Sequence, residues 1–333
     1  MKKLGIGLVA GVLTLSLAAC GGSGSSDAGA DAGAADGYPE DDITMIVTYA
    51  AGGPTDIAGR AVAAAFEKEL GVSVVVENVE GASGAVGSAQ LSQARPDGLT
   101  IAMTTASAVS RVPLIEEVGF TQDDVIPVGT VTEGAGVILV PADSPYKTID
   151  DLVEAAKKNP DKITIGAAGA QTPQAVEIER MKSEYDVPLQ LVPFQGDAPS
   201  LTALLGKNVD AIVPSYNAAV RAQHEAGAIR PLAIMGEERA DYLPEVPTLA
   251  ESGFEDLIYG VSTFILIAPK GTPEAVVAKL EETLEAAVKD PDTYKALDGD
   301  VLVPEKFTGS KDLTKKMKDE SAALKDVLQE LFG

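Results

Sequence analysis

The chain has 333 residues, 45% of them hydrophobic, and a formal net charge of −24 at pH 7. This length allows two ordinary domains, and the apolar content supplies a sizeable core, so wholesale disorder is excluded. The acidic excess, 50 Asp and Glu against 26 Lys and Arg, argues against nucleic acid as a partner. Charge of this kind favours solubility and says little about the fold.

The first twenty residues are typical of an export signal. Lys2 and Lys3 precede the uncharged apolar run LGIGLVAGVLTLSLAA, which ends at Cys20. A basic start, a short apolar stretch and small residues at its end are the pattern of a signal peptide. The tetrapeptide LAAC resembles the bacterial lipoprotein signal, in which the cysteine becomes the lipidated first residue. The alternative is a plain secretory peptide with an incidental cysteine. We predict a lipoprotein signal peptide over residues 1–19 and lipidation at Cys20, the only cysteine.

A low-complexity segment follows the cysteine. Residues 21–37, GGSGSSDAGADAGAADG, contain only Gly, Ser, Ala and Asp. This composition cannot build a core and predicts a flexible tether over residues 20–37. No later apolar run approaches the roughly 18 residues that a membrane span needs. We therefore expect a lipid and a tether to hold a soluble, extracytoplasmic body at the cell membrane.

Beyond the tether, strand-like and helix-like patterns alternate. The strands ITMIVTY, VSVVVEN and LTIAMTT are separated by PTDIAGRAVAAAFEKEL and AVGSAQLSQA, whose apolar residues recur at helical spacing. After Asp150 come a helix, strand KITIGAA, a helix from Pro173, strand LQLVPF, helix DAPSLTALLG, strand VDAIVPS, a further helix and strand IRPLAIM. This alternation predicts an α/β fold with parallel sheets covered on both faces.

Two segments share one plan: an apolar strand, a Pro-x(3)-Pro turn and an acidic amphipathic helix. They are residues 136–162 and residues 263–292. One interpretation is that these strands are the points where the chain crosses from one lobe to another and back. Strand–proline–helix units are also common in α/β proteins, so the repeat alone leaves both interpretations open.

The loop AAGGPTD leaves the first strand and enters a helix at once. Pro54 suits the first helical position, and Asp56 in the first turn is favourable to the helix dipole. Gly52 and Gly53 keep side chains out of the way, and free N–H groups at a helix start form an anion site. A well-capped helix without a ligand would explain Pro54 and Asp56 but not both glycines. We predict that N–H groups from Gly53 to Thr55 bind a carboxylate.

Similar loops recur after other strands. Gly81, Gly84 and Gly87 lead into the second helix, but their spacing is not the dinucleotide motif and the Lys of a P-loop is missing. The loops TTASAVS, GAAGAQTPQ and PFQGDAPS also follow strands. Loops at the carboxyl ends of parallel strands converge on a crevice. We expect a cleft between two lobes, lined by small, donor-rich loops.

Catalytic constellations are poor in this sequence. His224, the only histidine, lies in RAQHEAGAIR, which is more typical of an exposed helix end than of a base. No G-x-S-x-G occurs, and one histidine with one cysteine leaves no zinc set. We expect no enzymatic activity, no cofactor and no bound metal.

The chain resembles the substrate-binding proteins of the tripartite tricarboxylate transporter family from about Tyr38 to the C-terminus. The resemblance is carried, in order, by AAGGPTDIAGR, VENVEGASGAVGS, PDGLTIAM, VPFQGDAPSLTALLGKNVDA, AGAIRPLAI, LPEVPTLAESGF and APKGTP. It implies a fold like the type II periplasmic binding proteins, with two α/β lobes joined by two crossover strands and a ligand cleft between them. Lobe one is then expected at residues 38–139 plus 259–333, and lobe two at 140–258.

The same resemblance implies a monomeric lipoprotein that captures a small organic carboxylate, a di- or tricarboxylate or a related acid. Delivery would be to the large and small membrane subunits of a secondary transporter. An ABC-type binding lipoprotein, or an enzyme on this scaffold, are the alternatives. The ligand-binding residues predicted from the loops and the resemblance are Tyr49, Ala51, Gly52, Gly53, Pro54, Thr55, Asp56, Thr105, Ala106, Ser107, Ala168, Gly169, Gln171, Thr172, Gln174, Gln195, Gly196 and Ser215. Gln174 and Tyr259 depart from the His and Trp that many relatives carry.

Overall fold

The computed structural model describes residues 37–194 and 196–332. The predicted signal peptide, the lipidation site Cys20 and the tether up to residue 36 lie outside the described residues. So does Gln195, one of the predicted ligand-binding residues.

Within those ranges nine strands join one sheet, in the order β2-β1-β3-β9-β4-β7-β5-β6, with β8 also paired to β4. The strands are β1 (Ile43–Val47), β2 (Val74–Asn78), β3 (Thr100–Thr105), β4 (Val125–Pro141), β5 (Thr164–Ala167), β6 (Gln190–Pro193), β7 (Ala211–Ile212), β8 (Ile229–Met235) and β9 (Val261–Pro269). The helices are α1 (Pro54–Leu70), α2 (Ala85–Ser92), α3 (Ala106–Ser110), α4 (Val112–Ile115), α5 (Ile149–Lys158), α6 (Pro173–Tyr185), α7 (Asp197–Leu205), α8 (Ala218–Glu225), α9 (Glu274–Lys289), α10 (Pro291–Ala296), α11 (Gly299–Leu302) and α12 (Ser310–Phe332).

The sheet has two halves: the first contains β1, β2, β3 and β9, and the second contains β5, β6, β7 and β8. Strand β4 runs through both. Its residues 125–135 pair with β9, and its residues 136–141 pair with β8. On one side β1 is parallel to β2 and β3, and on the other β5 is parallel to β6 and β7. The pairings of β4 and β9 are antiparallel, so the sheet is mixed, and the expected parallel arrangement holds only for the strands on either side of them. A chain that leaves one half along β4 and returns along β9 runs in opposite directions in these two strands.

The two passages between the halves lie side by side at Gly136 and Gly260, here called the junction. The Gly136 N–H donates to the Gly260 carbonyl at 2.9 Å. A Cβ on Gly136 would lie 2.8 Å from that carbonyl oxygen and 2.6 Å from Cγ of Gln174. A Cβ on Gly260 would lie 2.5 Å from Sδ of Met235. Both positions therefore require glycine because other atoms approach the backbone too closely.

Each half of the sheet has a core of its own. In the first half Phe66 and Val62 of α1 pack against Ile43 and Met45 of β1. In the second half a separate cluster is built around α5, α6 and the strands β5 and β8. The long helix α12 connects the two, since Leu324 and Leu328 pack on Val176 of α6. In the described part of the chain, no helix combines the length and the apolar character needed to cross a membrane.

A buried group of charges accompanies this helix contact. Glu177 of α6 is fully buried, and Nη1 of Arg180 donates to its Oε1 at 3.1 Å. Arg111, between α3 and α4, donates from Nε to Oε1 of Glu320 at 2.7 Å and from Nη2 to the carbonyl of Tyr259 at 2.8 Å. We call these five residues (Arg111, Glu177, Arg180, Tyr259 and Glu320) the ion cluster. They connect α6, α12 and the segment that returns to the first half.

Candidate ligand-binding site

A cavity of about 620 Å³ lies between the two halves of the sheet. The first half contributes Tyr49, Pro54, Thr55, Ser83, Thr105 and Ser107, and the second contributes Ala168, Gly169, Ala170, Gln171, Thr172, Pro173, Pro193 and Phe194, while β9 adds Ser262 and Phe264. Of these described residues, none carries a charged side chain. The cleft therefore offers hydroxyls, amides and backbone groups next to apolar surface.

The start of α1 faces this cleft. Gly53 caps the helix and Pro54 is its first residue, as the sequence predicts. The Gly53 N–H, however, donates to the carbonyl of Ala50 at 3.3 Å, and proline has no N–H. The first-turn N–H groups of Thr55 and Asp56 have no partner within the described part of the chain. The Gly53 N–H is therefore already engaged within the loop, whereas Thr55 has an N–H that is unengaged among the described residues and also lines the cavity.

Asp56 stabilises this loop through hydrogen bonds to its carboxylate. Its Oδ2 accepts the Gly52 N–H at 2.8 Å and Nε of Arg60 at 3.0 Å, and its Oδ1 accepts Nδ2 of Asn78 at 2.9 Å. Asn78 also donates to the carbonyl of Tyr49 at 2.9 Å. Both carboxylate oxygens are engaged and Asp56 does not line the cavity. The contacts therefore favour a structural role for Asp56 over the alternative of an ammonium acceptor.

Replacing Asp56 with asparagine should destabilise the loop in a pH-dependent way. The hydrogen bond from Arg60, with those from Gly52 and Asn78, lowers the pKa of Asp56 from 3.8 to about 2. A carboxyl group with a lowered folded-state pKa stabilises the protein above its unfolded pKa, and this contribution is lost as the pH falls toward the folded value. We expect the Asp56→Asn variant to be less stable than the wild type at neutral pH, with the difference shrinking below pH 3.8. Urea unfolding across this pH range measures it, and a constant difference would contradict it.

A chain of hydroxyl groups leads from Tyr49 to the cavity. Oη of Tyr49 donates to the Ser83 carbonyl at 2.7 Å and lies 2.9 Å from Oγ1 of Thr105. Because the single Tyr49 proton is used on Ser83, the Thr105 hydroxyl donates to Tyr49. Thr105 in turn accepts the Ala108 N–H at 3.2 Å and lies 3.1 Å from Oγ of Ser107. Because the Thr105 proton is used on Tyr49, the Ser107 hydroxyl ends this chain as the donor to Thr105. It can donate to a ligand in the cleft only by rotating away from Thr105. Burial raises the pKa of Tyr49, so the phenol stays neutral.

The second half presents the start of α6. Thr172 caps this helix: its hydroxyl donates to the Gly169 carbonyl at 3.1 Å and accepts the Ala175 N–H at 3.3 Å. Nε2 of Gln171 lies 3.4 Å from Oε1 of Glu116 in the first half, so this side chain reaches across the cleft. Two helix starts, those of α1 and α6, therefore bring positive dipole ends to one cavity.

The cavity wall includes nine of the predicted ligand-binding residues: Tyr49, Pro54, Thr55, Thr105, Ser107, Ala168, Gly169, Gln171 and Thr172. Ala51, Gly52, Gly53, Asp56, Ala106, Gly196, Gln174 and Ser215 are not part of it. Gln174 is buried at the junction, where its Nε2 donates to the hydroxyls of Ser215 at 3.1 Å and Ser262 at 3.0 Å. Its hydrogen bond to Ser262 therefore links α6 to β9, outside the wall of the cavity.

Sequence reasoning missed seven wall residues: Ser83, Ala170, Pro173, Pro193, Phe194, Ser262 and Phe264. Ser83 lies in the glycine-rich loop between Gly81 and Gly84, and Ala170 and Pro173 stand between predicted residues. Phe264 lies at the start of the second near-repeat strand, whose inward face no sequence pattern indicated.

Comparison with solved structures identifies the class of fold. A TctC solute-binding protein from Polaromonas aligns with a TM-score of 0.77 at 30% identity, covering 88% of this chain and 99% of that one. MatC from Rhodopseudomonas palustris, solved with bound malate, aligns with a TM-score of 0.71 at 28% identity, covering 87% and 100%. The fold is that of a periplasmic solute-binding protein, and the predicted fold class is confirmed.

The family follows from the sequence. Residues 58–332 match the model described as "Tripartite tricarboxylate transporter family receptor". The "UPF0065 protein in gbd 5'region" of Cupriavidus necator is 35% identical over 268 residues, which are 79% of each chain. The chain belongs to the tripartite tricarboxylate transporter receptor family, and the predicted resemblance is confirmed.

Proposed function

We propose that the cleft binds a small organic carboxylate, a di- or tricarboxylate or a related acid. The observation that carries this proposal is a neutral, donor-lined cavity between two halves of the fold, entered by the N-terminus of α1. The malate-bound relative supports a carboxylate as the ligand class. Membership of a receptor family supports binding as the activity in place of catalysis.

Short-range donors hold the anion in this proposal. The net charge of −24 gives a carboxylate no long-range attraction, and such fields are screened beyond about 8 Å at physiological salt. A hydrogen bond to a charged group contributes about 1.5–3 kcal/mol. The Thr55 N–H, the Ser107 hydroxyl and the start of α6 supply several such bonds, so no arginine is needed. Affinity should consequently depend only weakly on salt.

Ligand binding between the halves favours their closure. We propose that residues 38–139 plus 259–333 form one lobe and residues 140–258 the other, with β4 and the return at the junction as the two crossings. A ligand shifts this equilibrium only by its extra affinity for the closed form. The contacts of Gln171 with Glu116 and of Gln174 with Ser262 already span the two lobes.

We further propose that Cys20 carries a lipid, and that the protein delivers its ligand to the large and small membrane subunits of a tripartite tricarboxylate-type transporter. The family supports the transporter partner, and the LAAC motif supports the anchor. The Cys20→Ser variant should leave the membrane fraction and appear as soluble extracytoplasmic protein. A wild-type protein that is already soluble, with an unmodified N-terminus, would contradict the anchor.

A thermal-shift screen of mono-, di- and tricarboxylates, followed by calorimetry on the hits, tests the binding proposal. We expect at least one acid to raise Tm and to bind with a single site per chain. Sustained product formation from a labelled hit would overturn the binding-only function. The absence of any carboxylate hit in folded protein would overturn the ligand class.

A further inference from the structure

A second cavity, of about 240 Å³, adjoins the cleft. It is lined by Pro54, Ile57, Ala58, Thr132, Asn217, Ala218, Ala219, Phe264, Ala296, Leu297, Asp298 and Leu302. Pro54 and Phe264 belong to the walls of both cavities. The second cavity, called the side chamber here, therefore neighbours the cleft at these two residues. Like the cleft, it lies between the halves, with α1 on one side and α8 on the other.

The chemistry of the side chamber differs from that of the cleft. Its wall is mostly aliphatic, and Ile57 is 50% exposed there. Asp298 is the charged residue of its described wall, and Oδ1 of Asp298 accepts Nη2 of Arg221 at 2.7 Å, which closes a contact between the halves. Oδ2 of Asp298 is buried and has no hydrogen-bond partner among the described residues. A chamber with apolar walls and a carboxylate favours an uncharged apolar group and disfavours a second anion.

The position of Pro54 suggests that one ligand can occupy both cavities. Pro54 directly precedes Thr55, whose N–H is a proposed carboxylate donor. Because Phe264 lines both cavities, the remaining atoms of a carboxylate held at Thr55 and Ser107 would have to pass Phe264 to reach the side chamber. Apolar surface buried there adds affinity in proportion to its area, without any further polar partner.

We propose that the side chamber binds the apolar tail of the ligand, so that the preferred acid carries one carboxylate in the cleft and an aliphatic or aromatic tail beyond Phe264. This rests on the proposed function and narrows its ligand class to acids with an uncharged tail. The tail, rather than a second carboxylate, then distinguishes the preferred ligand from short polar acids.

Straight-chain monocarboxylates from acetate to octanoate test the proposal by calorimetry on the wild-type protein. Once the chain is long enough to pass Phe264, affinity should rise about fourfold per added methylene group until the chamber is full. Octanedioate, which would place a second carboxylate near Asp298, should bind at least about tenfold more weakly than octanoate. Affinity that is independent of chain length, or equal for the two eight-carbon acids, overturns the proposal.

A substitution that fills the side chamber with a larger side chain provides a second test of the proposal. Ala218 and Ala219 are exposed at the start of α8 and line the chamber, so the Ala219→Leu variant should fold normally. We expect it to lose at least about tenfold in octanoate affinity while butyrate changes less than about twofold. The matched control is Ala222→Leu, an exposed position on the same helix outside the chamber wall, which should bind both acids like the wild type.

The outcomes separate this inference from the proposed function. If short di- or tricarboxylates bind but tails add nothing, the side chamber has no part in binding and the proposed function stands. If no carboxylate of any length binds to folded protein, both fail. An equal loss of butyrate and octanoate affinity in Ala219→Leu would also contradict the tail assignment, because it would mean that the substitution disturbs the cleft itself.

Discussion

Replacing Ser107 with alanine is expected to lower carboxylate affinity about ten- to a hundredfold, with the protein still folded. The Ser107 hydroxyl ends the chain that runs through Thr105 and Tyr49 and faces the cavity. A hydrogen bond to a charged acceptor contributes about 1.5–3 kcal/mol, and about 1.4 kcal/mol corresponds to a factor of ten in Kd. Calorimetry with the best acid from the screen measures the loss.

The matched control is Ser110→Ala on the same short helix. Its hydroxyl is buried and donates to the Ala106 carbonyl at 2.8 Å, and it is not part of the cavity wall. This variant should bind the acid like the wild type. If Ser107→Ala also binds normally, the Ser107 hydroxyl does not contact the carboxylate, and the anion must lie nearer to the loop of the second half.

Replacing Arg180 with methionine is expected to reduce the free energy of unfolding by about 3–5 kcal/mol at neutral to mildly alkaline pH. This change leaves Glu177, which is fully buried, without the guanidinium that donates to both of its oxygens at 3.1 and 3.3 Å. Removing one partner of a buried ion pair leaves an uncompensated charge, which is far more destabilising than losing an exposed pair.

The destabilisation caused by Arg180→Met should depend on pH. Burial raises the pKa of Glu177 from 4.5 to about 7, although Arg180 and Arg111 act to lower it. For a group whose folded-state pKa is raised, the favourable contribution is complete below the unfolded value and is lost as the pH rises through the folded one. Without Arg180 the folded-state pKa rises further. The destabilisation should therefore be larger above the wild-type value of about 7 than near 4.5, where Glu177 is largely protonated.

Urea unfolding of wild type and Arg180→Met at both pH values measures the difference. Lys158→Met is the control, because Lys158 and Glu154 form an exposed pair on α5 at 2.9 Å, and such pairs contribute about 0–1 kcal/mol. A loss in Arg180→Met no larger than in the control, or a loss that does not grow with pH, would show that the ion cluster contributes little to stability.

The start of α1 is the part of the site that the sequence predicted best. Proline fixes its own φ and has no N–H, so Pro54 as the first helical residue and Gly53 as the cap follow from neighbouring residues alone. Asp56 could not be assigned in this way. The structural role is favoured partly by Asn78, which the fold brings from β2 to within 2.9 Å of Asp56.

The topology of the sheet, like the role of Asp56, could be predicted only in part from local sequence. Alternating strands and helices predicted an α/β fold, which is the fold observed. The antiparallel arrangement of β4 and β9 depends on how the chain returns to the first half, and local pattern carries no information about that. Gln174 is a further example: a helix start next to a donor-rich loop predicted a cleft residue, but its amide donates to Ser215 at the junction, where Gly136 leaves room for the side chain.

The hydrogen bond between Gly136 and Gly260 places the two ends of an uninterrupted chain segment next to each other. Residues 136–260 are thus a cassette inserted into the rest of the molecule through adjacent entry and exit points. We expect this cassette to be transferable between family members as one graft, since its main core is separate from that of the recipient. The surfaces to match in such a chimera are those where α11 and α12 contact it, at Val301, Leu324 and Leu328. Recombination at these two glycines would then combine helix α1 of one receptor with the opposing cleft wall of another.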